Sequence, residues 1–567
     1  MTPLKRLLRG RRWPYVVLTG LVSGAVAWWA IPHLGTRTHL SGTYQGNDIG
    51  PVLPSLSLDT LVSPASAQVL LLAAAVAFLV QLYSMAYMGD DRRYRSYALL
   101  IVLFLVAMVA VVGTDNLFVL LIGWEVMGVC SYLLIGHHWE RDDAQSGAAK
   151  ALLVTRAADI GLLLAILILG QTYGTYSITQ ILVATGLEHP RNATLIGLLL
   201  VVAVVGKSAQ VPLQTWLPDA MPGPTPITAL IHAATMVAAG VFLLARLLPV
   251  YATSDVAMTT LAVVATVTML SAALFALVQS DLKRALAWST VSQLAIMFAA
   301  VSVADGAAAV GHLVSHGAFK ALLFLGCGVA MHTVGSSALA DMGGLRKAIP
   351  VTFWTMTIGF LALAGIAPTV GFFSKDEVLE AVHHEGGTRG DLLLVAVTLT
   401  SVLTAAYATR LWALTFLGAS KEKHRTPKAM LLVLLILAVA VFALSIGKPF
   451  HLGIAVLSTG TAVVGILFGW LLRKRTFDGR VGRVLSGELG FDRIFSNVLP
   501  AIAGLQARTV VWTDDTVIDS YPRGSAHSAL GAGWLMDRLQ SAKAQLYATA
   551  IAVGALALAG YAGWVGR

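Results

Sequence analysis

The sequence predicts an all-α polytopic membrane protein of about fifteen transmembrane helices. They are arranged as two inverted five-helix repeats, each with a broken helix, followed by a lateral amphipathic segment and an anchor helix. Three observations predict this. Of 567 residues, 57% are hydrophobic and only 12% charged, with a mean hydropathy of +0.77, whereas soluble domains carry about 25% charge. Apolar windows of about 20 residues, the length that spans a bilayer, recur along the whole chain. Two of those windows are interrupted by proline, glycine and charge, and irregular backbone at membrane depth survives only where protein or a water-filled cavity surrounds it.

The windows fall near 14–31, 66–86, 96–112, 114–137, 149–170, 193–217, 225–251, 257–279, 284–303, 306–333, 351–373, 391–417, 428–446, 453–472 and 545–564. The sixth breaks around Lys207–Pro212. The eleventh breaks in GIAPTVGFFSKDE, at Gly365, Pro368 and Gly371. Interrupted spans five positions apart belong to units inserted in opposite senses, a plan that places discontinuous helices at a transport site. The expected parts are therefore N-terminal helices over 1–95, repeats over 96–251 and 252–417, peripheral helices over 418–472, a lateral segment over 473–544 and an anchor over 545–567.

Lys5, Arg6, Arg9, Arg11 and Arg12 precede the first window in the manner of a signal peptide. No small-residue cleavage pattern follows Trp29, so a retained first span is expected. The net charge of +10 reflects loop cations, not a nucleic-acid surface. With the N-terminus inside, the inner loops hold Arg92, Arg93, Arg95, Arg141, Lys283, Arg284, Arg346, Lys347, Lys421, Lys423, Arg425, Lys428 and the basic group from Arg473 to Arg483. The outer loops hold Arg37, Arg191, Arg246, Arg389 and Lys448. That positive-inside bias places the C-terminus outside. Cys130 and Cys327 both fall in apolar segments and offer neither a disulfide framework nor a four-ligand metal set.

Residues 473–544 mix Phe491, Ile494, Phe495, Val498, Leu499 and Ile502 with Arg493, Arg508, Asp514, Asp515 and Asp519, then break at Pro522-Arg523-Gly524. This spacing suits an amphipathic helix along a surface. About 70 residues are thin for an independent soluble domain.

Ionisable residues inside the spans are functional by default. Glu125 sits mid-span in GWEVMG. Arg156 and Asp159, three apart in TRAAD, share a helix face. Lys207 lies on the first broken helix and His232 on the next span. His312, His316 and Lys320 recur every fourth residue as one stripe, and Lys375 and Asp376 come at the end of the second broken helix. Groups tuned by burial pick up and release protons, so the set reads as a proton relay. The bland readings are a structural ion pair for Arg156 and Asp159, a packing role for His232 and a helix cap for Lys375 and Asp376. His312 and His316 also have the spacing of two zinc or haem ligands, although Lys320, next on that face, would repel a cation.

The stretches GWEVMGVCSYLLIG, TRAAD, GKSAQVPLQTWLPDAMPGPTPITALIHAATMVAAGV, SDLKRALAWSTVSQLAIMF, GHLVSHGAFKALLFL and GFFSKDE closely resemble the antiporter-like membrane subunits of respiratory complex I, NADH-quinone oxidoreductase. The resemblance runs from about residue 57 to the end and is greatest to the subunit L group, whose lateral helix and final anchor look like 473–564, including GFDRIF and WLMDRLQSAKAQLYA. It implies a proton-translocating channel in a translocase complex, driven by quinone reduction elsewhere. In family terms Glu125 and Lys207 form the coupled pair of the inner half-channel, with Arg156 and Asp159 beside it. His232, His312, His316 and Lys320 form the central axis, and Lys375 with Asp376 the exit side. The resemblance further implies no NADH, flavin or iron-sulfur cluster in this chain, and no metal site is expected from the residues singled out above. Its partners would be other membrane-arm subunits, contacted through the lateral helix, and its place a bacterial-type plasma membrane with the N-terminus cytoplasmic. Family members usually have two spans before the segment matching 66–86, and this chain has one.

The competing readings are a subunit of a Mrp-type sodium/proton antiporter or membrane-bound hydrogenase, a haem-carrying redox subunit using His312 and His316, and an energy-coupled carbon-uptake pump. The lateral extension and anchor favour complex I.

Overall fold

The computed structural model describes residues 12–35, 38–40, 58–89, 91–233, 235–418, 427–448, 450–477, 479–491, 501, 504–505, 507–539 and 543–565. Lys5, Arg6, Arg9, Arg11, Arg37, Lys421, Lys423, Arg425, Arg493, Ile494, Phe495, Val498, Leu499 and Ile502, used in the sequence reading, lie outside these residues. The chain divides into two units, Met1–Leu489 and Gly490–Arg567. The division falls within the expected lateral segment, so residues 473–489 belong with the first unit.

In the first unit α1 (Trp13–Ala30) is followed by a short antiparallel pair, β1 (Thr38–Leu40) and β2 (Thr60–Val62), with Thr38 opposite Val62. Then come α2 (Pro64–Tyr87), α3 (Tyr94–Gly113), α4 (Leu117–Ile135), α5 (Asp142–Tyr173), α6 (Ile178–Leu187) and α7 (Ala193–Lys207). Next are α8 (Thr225–Ala233), α9 (Met236–Arg246), α10 (Asp255–Val278), α11 (Leu282–Ser302) and α12 (Gly306–Val334). The series closes with α13 (Pro350–Ala364), α14 (Val370–Glu385), α15 (Gly387–Phe416), α16 (Lys428–Ala443), α17 (Leu452–Leu472) and α18 (Arg480–Ser486).

The helix starts are written in short polar side chains. Asn116 Oδ1 accepts the Phe118 amide at 2.9 Å, Asp281 Oδ1 the Arg284 amide at 2.8 Å and Asp305 Oδ1 the Ala308 amide at 2.8 Å. Each satisfies a donor that the first helical turn leaves free. Gly174 and Gly335 close α5 and α12 at φ 68° and 81°, a left-handed backbone that favours glycine.

Among the described residues twelve helices are long and apolar enough to cross a membrane, and α7, α13 and α16 are shorter apolar helices filling three further windows. Two of the three are short because they stop at the breaks. The expected span 225–251 is not continuous: Thr235 has φ −132° and ψ −108°, and α9 ends at Arg246 before a separate helical turn at Leu248–Tyr251. Thr235 Oγ1 donates to the Leu230 carbonyl at 2.7 Å, a local bond that competes with the helical ladder.

Burial identifies the centre of the bundle. The spans formed by α8 with α9 and by α11 are wholly buried and α12 is 94% buried, against about half for α4 and α5. α7 lies along α5, α11 along α10, and α12 touches α8, α11, α13 and α14. Gly317 permits this, because a Cβ there would stand 2.6 Å from the Ala233 carbonyl oxygen, beside the α8/α9 break.

In the second unit residues 507–513 are helical, a π-helical turn covers Asp514–Ile518, and α19 (Ser520–Leu539) and α20 (Ala544–Val565) follow. The break expected at Pro522-Arg523-Gly524 is absent, because α19 runs through it. Pro522 stands in the first turn of α19, where its missing N–H leaves little unmade.

Gly371 packs α14 onto the Ala362 backbone carbonyl, so closely that even a methyl group at 371 would overlap that oxygen. Gly371→Val should therefore lower stability by about 1–3 kcal/mol and reduce the yield of folded protein in size-exclusion chromatography. Gly24→Ala, whose added carbon meets nothing within 4 Å, should leave both unchanged or slightly improved.

Candidate functional site

Lys207 ends α7 and is wholly buried. Gly206, just before it, brings α7 against α5 at Ala158, and a Cβ on residue 206 would overlap that of Ala158. The next residues, Lys207 and Asp159, consequently meet: Lys207 Nζ donates to Asp159 Oδ2 at 3.1 Å. Trp124 Nε1 donates to Asp159 Oδ1 at 2.6 Å, and the ammonium stands 5.1 Å from the Trp124 ring. Gly128, one turn along α4, leaves the room, since a Cβ there would lie 3.2 Å from Lys207 Nζ. A carboxylate, an indole and a buried ammonium thus share one contact set from three helices.

The expected Glu125–Lys207 pair is not formed. Glu125 accepts from Arg156 instead, on side chains that are 29% and 58% exposed, whereas Asp159 and Lys207 are 2% and 0% exposed. Successive helical residues point about 100° apart, so with Trp124 turned inward Glu125 faces outward. The shared face expected for Arg156 and Asp159 also separates: the first points out to Glu125 and the second in to Lys207.

The polypeptide beyond Lys207 is irregular but hydrogen-bonded. Trp216 Nε1 donates to the Gly206 carbonyl at 2.9 Å, Gln210 N to Val205 O at 2.8 Å, Ser208 Oγ to Val237 O at 2.8 Å and Val211 N to Thr268 Oγ1 at 3.0 Å. Lys283 Nζ donates to the Met221 and Gly223 carbonyls at 2.6 Å each. Asp219 pairs with Lys150 at 2.6 Å and Arg284 at 2.9 Å, and Arg284 reaches Glu488 at 2.9 Å.

His312, His316 and Lys320 do form one buried stripe, on α12. Lys320 Nζ donates to Ser289 Oγ and to the Leu286 carbonyl, the latter at 3.1 Å. His312 Nδ1 lies 2.9 Å from Ser374 Oγ and Nε2 3.3 Å from Gln293 Oε1, so both ring nitrogens are engaged within the protein. The His312 and His316 rings are 6.4 Å apart, and His232 packs 4.5 Å from the Phe324 ring. Among the described residues His232 Nδ1 and His316 Nε2 are buried without a hydrogen-bond partner.

Lys375 and Asp376 lie in the first turns of α14, after the second break and not at its end as the sequence reading had it. Lys375 Nζ donates to the Leu363 carbonyl at 2.5 Å, one of the acceptors that α13 leaves free where it stops. Asp376 accepts from Ser458 Oγ on α17. Glu377 pairs with Lys448 at 3.0 Å, and both line a cleft of about 1400 Å³ together with Arg246, Asp305 and Glu380.

The family profile described as "NADH:quinone oxidoreductase/Mrp antiporter, TM" matches residues 114–404, and that described as "NADH-Ubiquinone oxidoreductase (complex I), chain 5 N-terminus" matches residues 54–98. NADH-quinone oxidoreductase subunit L of Mycobacterium tuberculosis is 35% identical over 528 residues, covering 86% of this chain and 83% of that protein. The chain belongs to the subunit L family of NADH-quinone oxidoreductase. An NAD(P)H-quinone oxidoreductase subunit 5 of Paulinella chromatophora is 42% identical over 67% of this chain and 59% of its own length. The solved Mrp complex from Dietzia has a chain 26% identical at TM-score 0.73, covering all of this chain and 61% of that one. A chain of the archaeal membrane-bound sulfane sulfur reductase shares the fold at TM-score 0.68 and 23% identity.

Within this subunit L homologue, sequence reading missed Trp124, Ser374, Gln293, Ser289 and Ser458, which hold the ionisable groups in place. Trp124 and Ser374 were detectable as direct neighbours of Glu125 and Lys375. The others are short polar residues with no signal of their own.

Removing one member of a buried ion pair leaves the other uncompensated. Asp159→Ala should destabilise the protein by about 3–5 kcal/mol, whereas Asp159→Ala combined with Lys207→Met should recover part of that loss. Thermal unfolding in one detergent checks both.

Proposed function

We propose that this chain is a proton-translocating membrane-arm subunit of NADH-quinone oxidoreductase, moving H⁺ through a relay of Asp159, Lys207, His232, His316, Lys320, His312, Lys375 and Asp376. Quinone reduction in other subunits drives it, and this chain carries no redox centre of its own. The observation that carries the reading is the pair of buried lysines at two interrupted helices, together with the His232 and His316 nitrogens that are buried without a hydrogen-bond partner among the described residues. Such nitrogens are where ordered water is needed, and water joined to titratable groups is what proton movement requires.

In this reading the Lys207 end loads from the cytoplasm and the Asp376 end discharges toward the cleft at Glu377. Glu125 and Arg156 act beside the path, modulating Asp159 from the outer face of α4 and α5. The units over 96–251 and 252–417 form two oppositely inserted halves of the channel. The segment from 473 onward contacts neighbouring membrane-arm subunits, with α20 as an anchor. The N-terminus lies in the cytoplasm of a bacterial-type plasma membrane.

Likeness to a Mrp chain supports a second reading, sodium/proton exchange. Greater identity to subunit L over most of both proteins favours the first. Sodium-dependent pH changes in inverted vesicles, independent of NADH, would support the second.

Lys207→Ala in the assembled complex should abolish most NADH-driven acidification of inverted vesicles; normal acidification would overturn the relay. Glu125→Gln, which leaves the Asp159–Lys207 contact intact, should assemble and lower the proton-to-electron ratio; an unaltered ratio would remove Glu125 from the mechanism.

A further inference from the structure

At the end of α2 away from the cleft, three potential metal ligands meet outside the series described above. Asp91 lies in the turn between α2 and α3. His137 and His138 belong to the one-turn 3₁₀ helix Gly136–His138 that follows α4. One ligand atom of each lies within 4.8 Å of the other two, and His137 Nε2 stands 3.1 Å from Asp91 Oδ2.

The arrangement is held from behind. The His137 side chain is only 4% exposed and that of Asp91 14%. The His137 ring meets Tyr97 edge-on at 5.4 Å and His138 at 4.9 Å. Asp91 Oδ1 accepts the Arg93 amide at 2.7 Å, which orients the carboxylate and leaves Oδ2 toward His137.

Two neighbouring guanidinium groups have carboxylates of their own. Arg93 pairs with Glu140 at 2.5 Å and Arg141 with Asp143 at 2.6 Å. Neither guanidinium takes Asp91, whose Oδ2 faces His137 Nε2, and a cation bound there would replace the hydrogen that those two atoms share.

We propose that Asp91, His137 and His138 form a binding site for a divalent transition-metal ion of the zinc type. Two imidazoles and a carboxylate are ligands that zinc accepts at about 2.0–2.2 Å, with a fourth position left to water. Calcium and magnesium call for oxygen ligands and are poorly served by two nitrogens. Tetrahedral coordination needs ligand atoms roughly 3.3 Å apart, so binding draws the half-exposed His138 inward while Asp91 and His137 stay in place. The bound ion ties the α2–α3 turn to the end of α4.

The purified full-length chain, stripped with a chelator and dialysed against Zn²⁺ alone, should bind zinc at micromolar concentration. His138→Ala and Asp91→Asn should each weaken that binding about 10–100-fold without changing the thermal unfolding temperature measured without metal. Cobalt in place of zinc should give a visible absorption band that both substitutions remove. His384→Ala, in the separate Glu380–His384–His451 group, should leave binding intact. Loss of binding in His384→Ala alone, equal affinity in wild type, His138→Ala and Asp91→Asn, or no micromolar binding by the wild type would each overturn the proposal.

Discussion

An apolar slab tolerates neither a lone ammonium nor an unpaired peptide group, and the arrangement of this bundle follows from meeting both demands at once. Each interruption releases carbonyls and amides that water would satisfy elsewhere. At the first, Trp216, Gln210 and Thr268 supply or complete those bonds. At the second, the ammonium of Lys375 does so itself, on the Leu363 carbonyl. A charge and a broken helix are thus each other's remedy at Lys375, while at Lys207 the charge is answered by Asp159 and the backbone by other groups.

Close approach makes these remedies geometrically possible. Gly206 against Ala158, Gly128 beneath Lys207, Gly317 against Ala233 and Gly371 against Ala362 are places where main chains or polar groups come nearer than a side chain would allow. They set how closely α7 approaches α5, α12 approaches α8 and α14 approaches α13. The polar partners are positioned by apolar contacts, and a larger residue at these points acts on the charges without touching them chemically.

Much of this was legible in the sequence, for identifiable reasons. Proline, glycine and lysine inside apolar windows gave both breaks, because nothing but function or an interior position excuses them. The stripe of His312, His316 and Lys320 followed from helical periodicity. The partner of Lys207 did not follow, because Glu125 and Asp159 differ only in how their helices are rotated, and Trp124 decides that. The interruption at Thr235 was hidden because threonine is an ordinary residue in an apolar helix. Lys283 read as a loop cation, yet it is buried on the Met221 and Gly223 carbonyls. The meeting of Asp91 with His137 and His138 depends on which helix ends become neighbours, which periodicity does not record.

The two oxygens of Asp159 are held by unlike partners, an indole fixed in a packed core and an amine on a four-carbon stem. One oxygen is thereby fixed by the packed α4 and the other by a side chain with its own rotatable stem. A rotation of that stem alone would leave the indole bond, and with it the position of the carboxylate, unchanged.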